Sequence, residues 1–266
     1  AGASRILAAA LITLEDIESL MGDRIETRDE ISFDRASASV RARRMRRLGA
    51  VALNEQPRSI EGAESAVVLA NGLAALGIER LPWSKAQKQL RDRVLFLRRA
   101  EGEAWPDLSD TALATSAETW LAPFIEGRAS LSSITADDLD SALQALLPWD
   151  MRRRLDIEAP THFEAPTGSH IGVDYEAEGG PVLAVRVQEL FGLSQHPSLA
   201  GGRVPLTLHL LSPAHRPIQI TRDLPGFWKG SWTAVKSEMK GRYPRHVWPD
   251  DPANATATTR AKPRGT

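Results

Sequence analysis

The stretch GFWKGSWTAVKSEMKGRYP at 226–244 sets lysines and aromatic rings at helical spacing. At about 100° per residue, Trp228, Trp232, Val235 and Met239 fall in one narrow arc, and Lys229, Lys236 and Lys240 fall in an arc one residue step round. Arg242 and Arg245 carry the charge past the helix end, interleaved with Tyr243 and Trp248, and Arg203 opens the same basic region. Cations beside rings suit a polynucleotide, whose phosphates are neutralised while bases or riboses stack. An architectural reading stands beside this one: the tryptophans pack inward, and the lysines complement the dipole at a helix C-terminus.

A second basic run, VRARRMRRLG, puts Arg41, Arg43, Arg44, Arg46 and Arg47 within seven positions. Guanidinium forks match phosphate oxygens, so unpaired members of this run are candidates for phosphate contacts. Against that, Glu26 and Glu30 lie on the preceding predicted strand and can form cross-strand pairs with the same arginines.

Catalytic arrangements are missing from the sequence. It has no G-x-x-x-x-G-K-[ST] loop for nucleotide phosphates, no acidic magnesium run and no G-x-S-x-G elbow; in GSHIG at 168–172 the serine is displaced. All six histidines lie between His162 and His246 without H-x-x-x-H spacing, and with zero cysteines nothing completes a zinc site. The expectation is no catalytic residue, no metal and no cofactor held by this chain.

The chain has 266 residues, 42% hydrophobic and 25% charged, which gives enough apolar content for a core and excludes collagen, low-complexity disorder and a membrane bundle. Zero cysteines also remove any disulfide framework and give the chain no stake in an oxidising compartment; the expected location is the cytoplasm. The net charge of -1 conceals an asymmetry. Residues 203–266 hold eleven Lys/Arg and four Asp/Glu, whereas 1–202 hold 22 and 30. A basic lobe attracts polyanions over a screening length of about 8–10 Å, or else attracts the acidic remainder of its own chain. The apolar run ILAAALITL at 6–14 has signal-like length but no cleavage motif and runs into Glu15 and Asp16, so it reads as a buried strand entering a helix. No membrane partner is expected.

The elements that must position these groups fall into four regions. Residues 1–58 read as a small α/β unit: a strand at 4–10, a helix at 14–22 ending at Gly22, and strands at 25–33 and 38–53 joined by a polar turn at Asp34–Ser37. Residues 59–158 read as a central helical bundle, with one helix at Ile60–Ile78, a capping box of Ser84 with Gln87, a stretch at 110–126, a cap at Thr135 with Asp138, and Pro148 at the first helical position of PWDMRRRLDIEAP. At 159–249 the period switches to two around Ile171, Leu183, Leu206 and Ile218, with turn signals at PTGS, GGP, AGGR and SPAHRP. That pattern predicts a small, partly closed antiparallel β-barrel or sandwich with a C-terminal helix. Residues 250–266 read as a flexible tail. The fold class is α+β and multidomain.

Long ordered runs here resemble a known family. DRIETRDEISFD at 23–34, VRARRMRRLGAVAL at 40–53, LPWSKAQKQLRDRVLFLRR at 81–99, LLPWDMRRRLDIEAPTHFEAPTGSHIGVDY at 146–175, AGGRVPLTLHLLSPAHRPIQITRDLPGFW at 200–228 and KGRYPRHVWPDDP at 240–252 are similar to the C-terminal half of HrpB-type bacterial ATP-dependent helicases of the DEAH/DExH group. The resemblance implies OB-like and family-specific accessory domains, the OB-like one at 1–58, that follow two RecA-like motor domains and help form the path of single-stranded nucleic acid, RNA in the first place. It also implies that ATP and magnesium belong to those motor domains, which would be this region's partners. None of the motor motifs occurs in this chain.

Overall fold

The computed structural model describes residues 9–59 and 62–261. In chain order the helices are α1 (Leu14–Met21), α2 (Ala63–Leu76), α3 (Lys85–Glu101), α4 (Asp110–Thr115), α5 (Ala117–Trp120), α6 (Ala136–Leu146), α7 (Trp149–Glu158), α8 (Leu224–Lys229) and α9 (Trp232–Arg242). The strands are β1 (Ile25–Asp34), β2 (Ser39–Leu48), β3 (Val51–Pro57), β4 (His162–Glu164), β5 (His170–Gly172), β6 (Val182–Arg186), β7 (Ser198–Leu199), β8 (Val204–Pro205), β9 (Thr207–Leu211) and β10 (Pro217–Thr221). The chain divides into two compact units: one holds the described residues up to Pro82 together with Leu113–Leu143, the other Trp83–Ala112 with everything from Gln144 onward. The helical region read from the sequence is therefore shared between the units.

In the first unit, α1 starts at a capping box in which the Thr13 hydroxyl accepts from the Asp16 N–H at 3.2 Å and Asp16 accepts from the Thr13 N–H at 3.0 Å. The strand expected at 4–10 lies mostly outside the described residues. The positions from 9 to 13 form no strand, and Leu11 is 98% exposed, so this part of the apolar run is not buried. β1, β2 and β3 form an antiparallel meander in that order. The single strand expected over 38–53 is two strands, because the chain reverses through Gly49 at φ +59° and Ala50, with Leu48 opposite Val51. An OB barrel has five strands; this sheet has three, and no sheet closes into a barrel among the described residues.

α2 lies on the meander and buries Ala66, Leu69, Ala70 and Leu73, spaced i, i+3, i+4 and i+7. Gly72 on α2 gives room to the Phe33 ring of β1, which a Cβ there would overlap. The first turn of β2 also pairs with a distant segment: Val40 N–H donates to Ala129 at 2.8 Å, and Leu131 N–H donates to Ala38 at 2.9 Å.

In the second unit, the Ser84–Gln87 capping box starts α3 as expected, with N–H groups donated at 3.2 and 3.0 Å. α3 buries Val94, Phe96 and Leu97, whereas Ala86 stays exposed. Arg93, only 5% exposed, ties α3 to the end of α7: it donates to the Leu155 carbonyl at 3.3 Å and pairs with Asp156 at 2.7 Å. Thr135 and Asp138, which belong to the first unit, cap α6 reciprocally. Pro148 occupies the N-cap of α7, one position earlier than expected.

The β-rich region is neither fully antiparallel nor closed. β9 is central in a three-stranded sheet, antiparallel to β10 and parallel to β6, and the remaining strands make two separate two-stranded ladders. Leu183 and Val185 of β6 and Leu208 and Leu210 of β9 supply its buried face. A bulge at Ile218 bends the edge strand β10, which leaves Ile220 63% exposed. The helix expected over 226–244 is broken into α8 and α9 at Gly230, where helix propensity is low. Within the described part of the segment after 249, Gly192 N–H donates to the Pro252 carbonyl at 2.9 Å, and Thr258 N–H donates to Gln188 at 3.1 Å; the last residues of the expected tail lie outside the described residues.

Candidate nucleic-acid interface

The predicted basic residues fall in different compact units, Arg41 to Arg47 in the first and Arg203 to Arg245 in the second. On β2 each arginine has a carboxylate partner. Arg44 makes a fork to Asp29 at 2.9 and 3.2 Å, Arg47 lies 3.9 Å from Glu30, and Arg41, Arg43 and Arg46 pair with Asp34, Glu55 and Glu18. The hydrogen bond from Arg44, with further help from Arg58, holds the Asp29 carboxyl below the usual carboxylate range. The expectation that unpaired members of this run contact phosphates finds no unpaired member: Asp29 lies opposite Arg44 in the antiparallel register, and the other partners come from α1, from β3 and from positions further along β1. The pairs are solvent-exposed and individually weak.

Arg203 is built into a network. It pairs with Glu101 and, at 3.1 Å, with Glu158; Arg154 reaches the same two carboxylates at 2.7 and 3.1 Å; and the Trp105 indole N–H donates to Glu101 at 2.8 Å. These links join α3, α7 and the β7–β8 turn.

On α8 and α9 the cations split. Lys236 pairs with Asp250, a carboxylate 99% exposed, and Arg242 pairs with Glu238 at 3.0 Å along the helix. Lys229, Lys240 and Arg245 are exposed and make no ion pair among the described residues. The hydrogen bond from Lys236, reinforced by the charges of Lys236 and Lys240, keeps Asp250 ionised below the usual carboxylate range.

The rings beside these cations are structural. Trp228 and Trp232 are buried with Phe191 and Phe227 in tilted and edge-to-face contacts 5.1–6.1 Å between centroids. Three indole N–H groups are satisfied within the unit: Trp228 donates to Leu193 at 3.0 Å, Trp232 to Pro249 at 2.9 Å and Trp248 to Tyr243 at 2.9 Å. The inward-packing reading of this stripe is the correct one. Trp149, by contrast, is 65% exposed, with the Arg153 guanidinium 4.9 Å from its centroid. The RRR run one turn after Trp149 was the available signal.

Among the described residues no group of three or more His, Asp or Glu side chains could hold a metal ion. His196 pins two loops, accepting from Leu224 N–H at 3.1 Å and facing the Leu206 carbonyl at 2.8 Å. Burial, then the charges of Arg186 and Arg245, push His246 down, so it brings no cation at neutral pH. Two open clefts, of about 620 and 790 Å³, share Asp92, Tyr175 and Glu176. Burial and the neighbouring Glu176 and Asp174 raise the Asp92 carboxyl above its ordinary value. No helix is long and apolar enough to cross a membrane among the described residues.

Several small sheets, helices between them and a basic C-terminal segment define the class: the family model described as ATP-dependent helicase C-terminal matches residues 120–252. The chain is 42% identical over 261 residues to the ATP-dependent RNA helicase HrpB of Escherichia coli K12, covering 97% of this chain and 32% of the relative. It superposes on the crystal structure of the E. coli DExH-box NTPase HrpB with a TM-score of 0.73 at 41% identity, covering 96% of this chain and 32% of that one. A second structure, the E. coli DEAH/RHA helicase HrpB, gives 0.62 at 40% identity over 85% of this chain and 29% of that one. The chain belongs to the HrpB helicase C-terminal family, and it spans about a third of the length of the relatives it matches.

Proposed function

We propose that this chain is the accessory region of an ATP-dependent RNA helicase that acts in the cytoplasm, and that it grips single-stranded nucleic acid for motor domains which themselves hold ATP and magnesium. The supporting observation is the state of the cations on α8, α9 and the turn after them. Lys229, Lys240 and Arg245 are exposed outside ion pairs among the described residues, within a segment of eleven basic and four acidic groups. Lys236 and Arg242 join them at small cost, because their partners Asp250 and Glu238 are themselves exposed. Binding of this kind draws on counterion release and tolerates any sequence. Arg203, held by both Glu101 and Glu158, exchanges carboxylates for phosphate less readily, and the β2 arginines, which belong to the other compact unit, serve the interface second.

A second reading has its own support. Arg203 is fully engaged with Glu101 and Glu158, and the aromatic cluster is internal, as expected of a structural module that docks on motor domains or another partner. A labelled single-stranded 20-mer RNA titrated with the chain at about 50 and 200 mM salt separates the two. Affinity falling by an order of magnitude or more with salt supports the grip, and no binding, or binding indifferent to salt, supports docking.

A further inference from the structure

Among the described tryptophans, Trp105, Trp120, Trp228 and Trp232 are buried and Trp83 and Trp248 are half-buried, whereas Trp149 stands 65% exposed. It is the first residue of α7, and Arg153, one turn on, lies over its ring at 4.9 Å. Neither the Trp149 indole N–H nor the Arg153 guanidinium has a hydrogen-bond or ion-pair partner among the described residues. The other two arginines of the run are committed: Arg154 to Glu101 and Glu158, and Arg152 to Gln144 at 3.4 Å.

The helix end offers further donors. Pro148 is the N-cap and carries no side-chain acceptor, so the first N–H groups of this ten-residue helix lack a side-chain cap. Asp150, the acid of the first turn, is rotated about 100° from Trp149, whereas Arg153 follows Trp149 at i+4 on the same face. A large planar ring kept in water, a cation against it and open N–H groups at one helix end match a nucleotide: its base has a π-face and its phosphate needs donors.

We propose that the first turn of α7 is a nucleotide-stacking site, with one base of a single strand lying on Trp149 and the adjoining phosphate held by Arg153 and the open N–H groups. The site rests on the nucleic-acid reading given above and locates the ring contact that α9 lacks, since the aromatic groups there are turned inward. Charge complementarity selects the occupant: a basic or apolar peptide gains nothing from Arg153.

The test uses the full chain, a labelled single-stranded U 20-mer and four proteins: wild type, Trp149→Ala, Trp149→Phe and Arg153→Ala. Trp149→Ala is expected to weaken binding about tenfold, the range of one lost base–aromatic stack, while Trp149→Phe keeps most of the affinity. Arg153→Ala should weaken binding and lower the salt slope by about 0.7. Replacing uridines with 4-thiouridine and irradiating should place a crosslink in the peptide that contains Trp149. If the wild type binds but all three variants bind like it and the crosslinks map elsewhere, the stacking site is wrong while the nucleic-acid reading stands. If the wild type binds no oligonucleotide, both fall.

Discussion

Asp250 sets how many cations α9 offers a ligand, because it pairs with Lys236 and lies in the field of Lys240. Its carboxyl stays ionised below the usual carboxylate range, so the pairing persists through neutral pH and is lost only as pH falls past that range. Asp250→Asn should therefore free Lys236 and tighten oligonucleotide binding, with a salt slope steeper by about 0.7, measured by fluorescence anisotropy. Asp92 runs the other way. Burial and the neighbouring Glu176 and Asp174 raise its folded-state pKa, so its ionisation costs stability once pH rises past the unfolded value near about 3.9. Asp92→Asn should raise the thermal midpoint at pH 7, and the gain should vanish below about pH 3.5, where Asp92 is neutral in both states. A midpoint that does not change with pH between wild type and variant would show that Asp92 feels ordinary solvent. Trp232, 1% exposed and packed on Phe191, Phe227, Trp228 and Trp248, is a core residue: Trp232→Ala should cost about 3–5 kcal/mol in denaturant unfolding, whereas Lys240→Ala should cost under about 0.5.

At the scale of elements, the α2–β1 contact depends on an absent side chain. Gly72→Ala gains helix propensity but drives a Cβ into the Phe33 ring, and overlap of that kind outweighs the gain, so a loss of about 1–3 kcal/mol is expected in urea unfolding. Local signals were legible in the sequence because their causes are local. The Ser84–Gln87 and Thr135–Asp138 caps appear as read, the turn expected at Asp34–Ser37 falls one residue later, at 35–38, and of the α3 stripe Val94 and Leu97 are buried. Features set by distant partners were not legible. Parallel pairing of β6 with β9 joins segments more than twenty residues apart, and Arg203 meets Glu101 at a separation of 102 residues. The split at Gly230 was written in its glycine, but an amphipathic pattern continuing across it concealed the break. The described residues after 249 are tied by backbone bonds from Gly192 and Thr258, which no side-chain pattern announces.

For the molecule as a whole, the division of charge read from the sequence becomes a division of roles among its basic groups. The arginines of β2, Arg203, Lys236 and Arg242 are paired with carboxylates, and Lys229, Lys240 and Arg245 stand outside ion pairs among the described residues. The candidate site was thus legible in its charge and its region but not in its ring, since exposure of Trp149 follows from how α7 sits in its unit. The most direct measurement is the slope of log affinity against log salt, from about 50 to 200 mM, for single-stranded RNA with the wild-type chain and with Lys229→Ala/Lys240→Ala/Arg245→Ala. Loss of three phosphate contacts should flatten the slope by about 2 and weaken binding at the low-salt end, with the thermal midpoint unchanged. Equal slopes and equal affinities for the two proteins would contradict a nucleic-acid grip at this end of the chain.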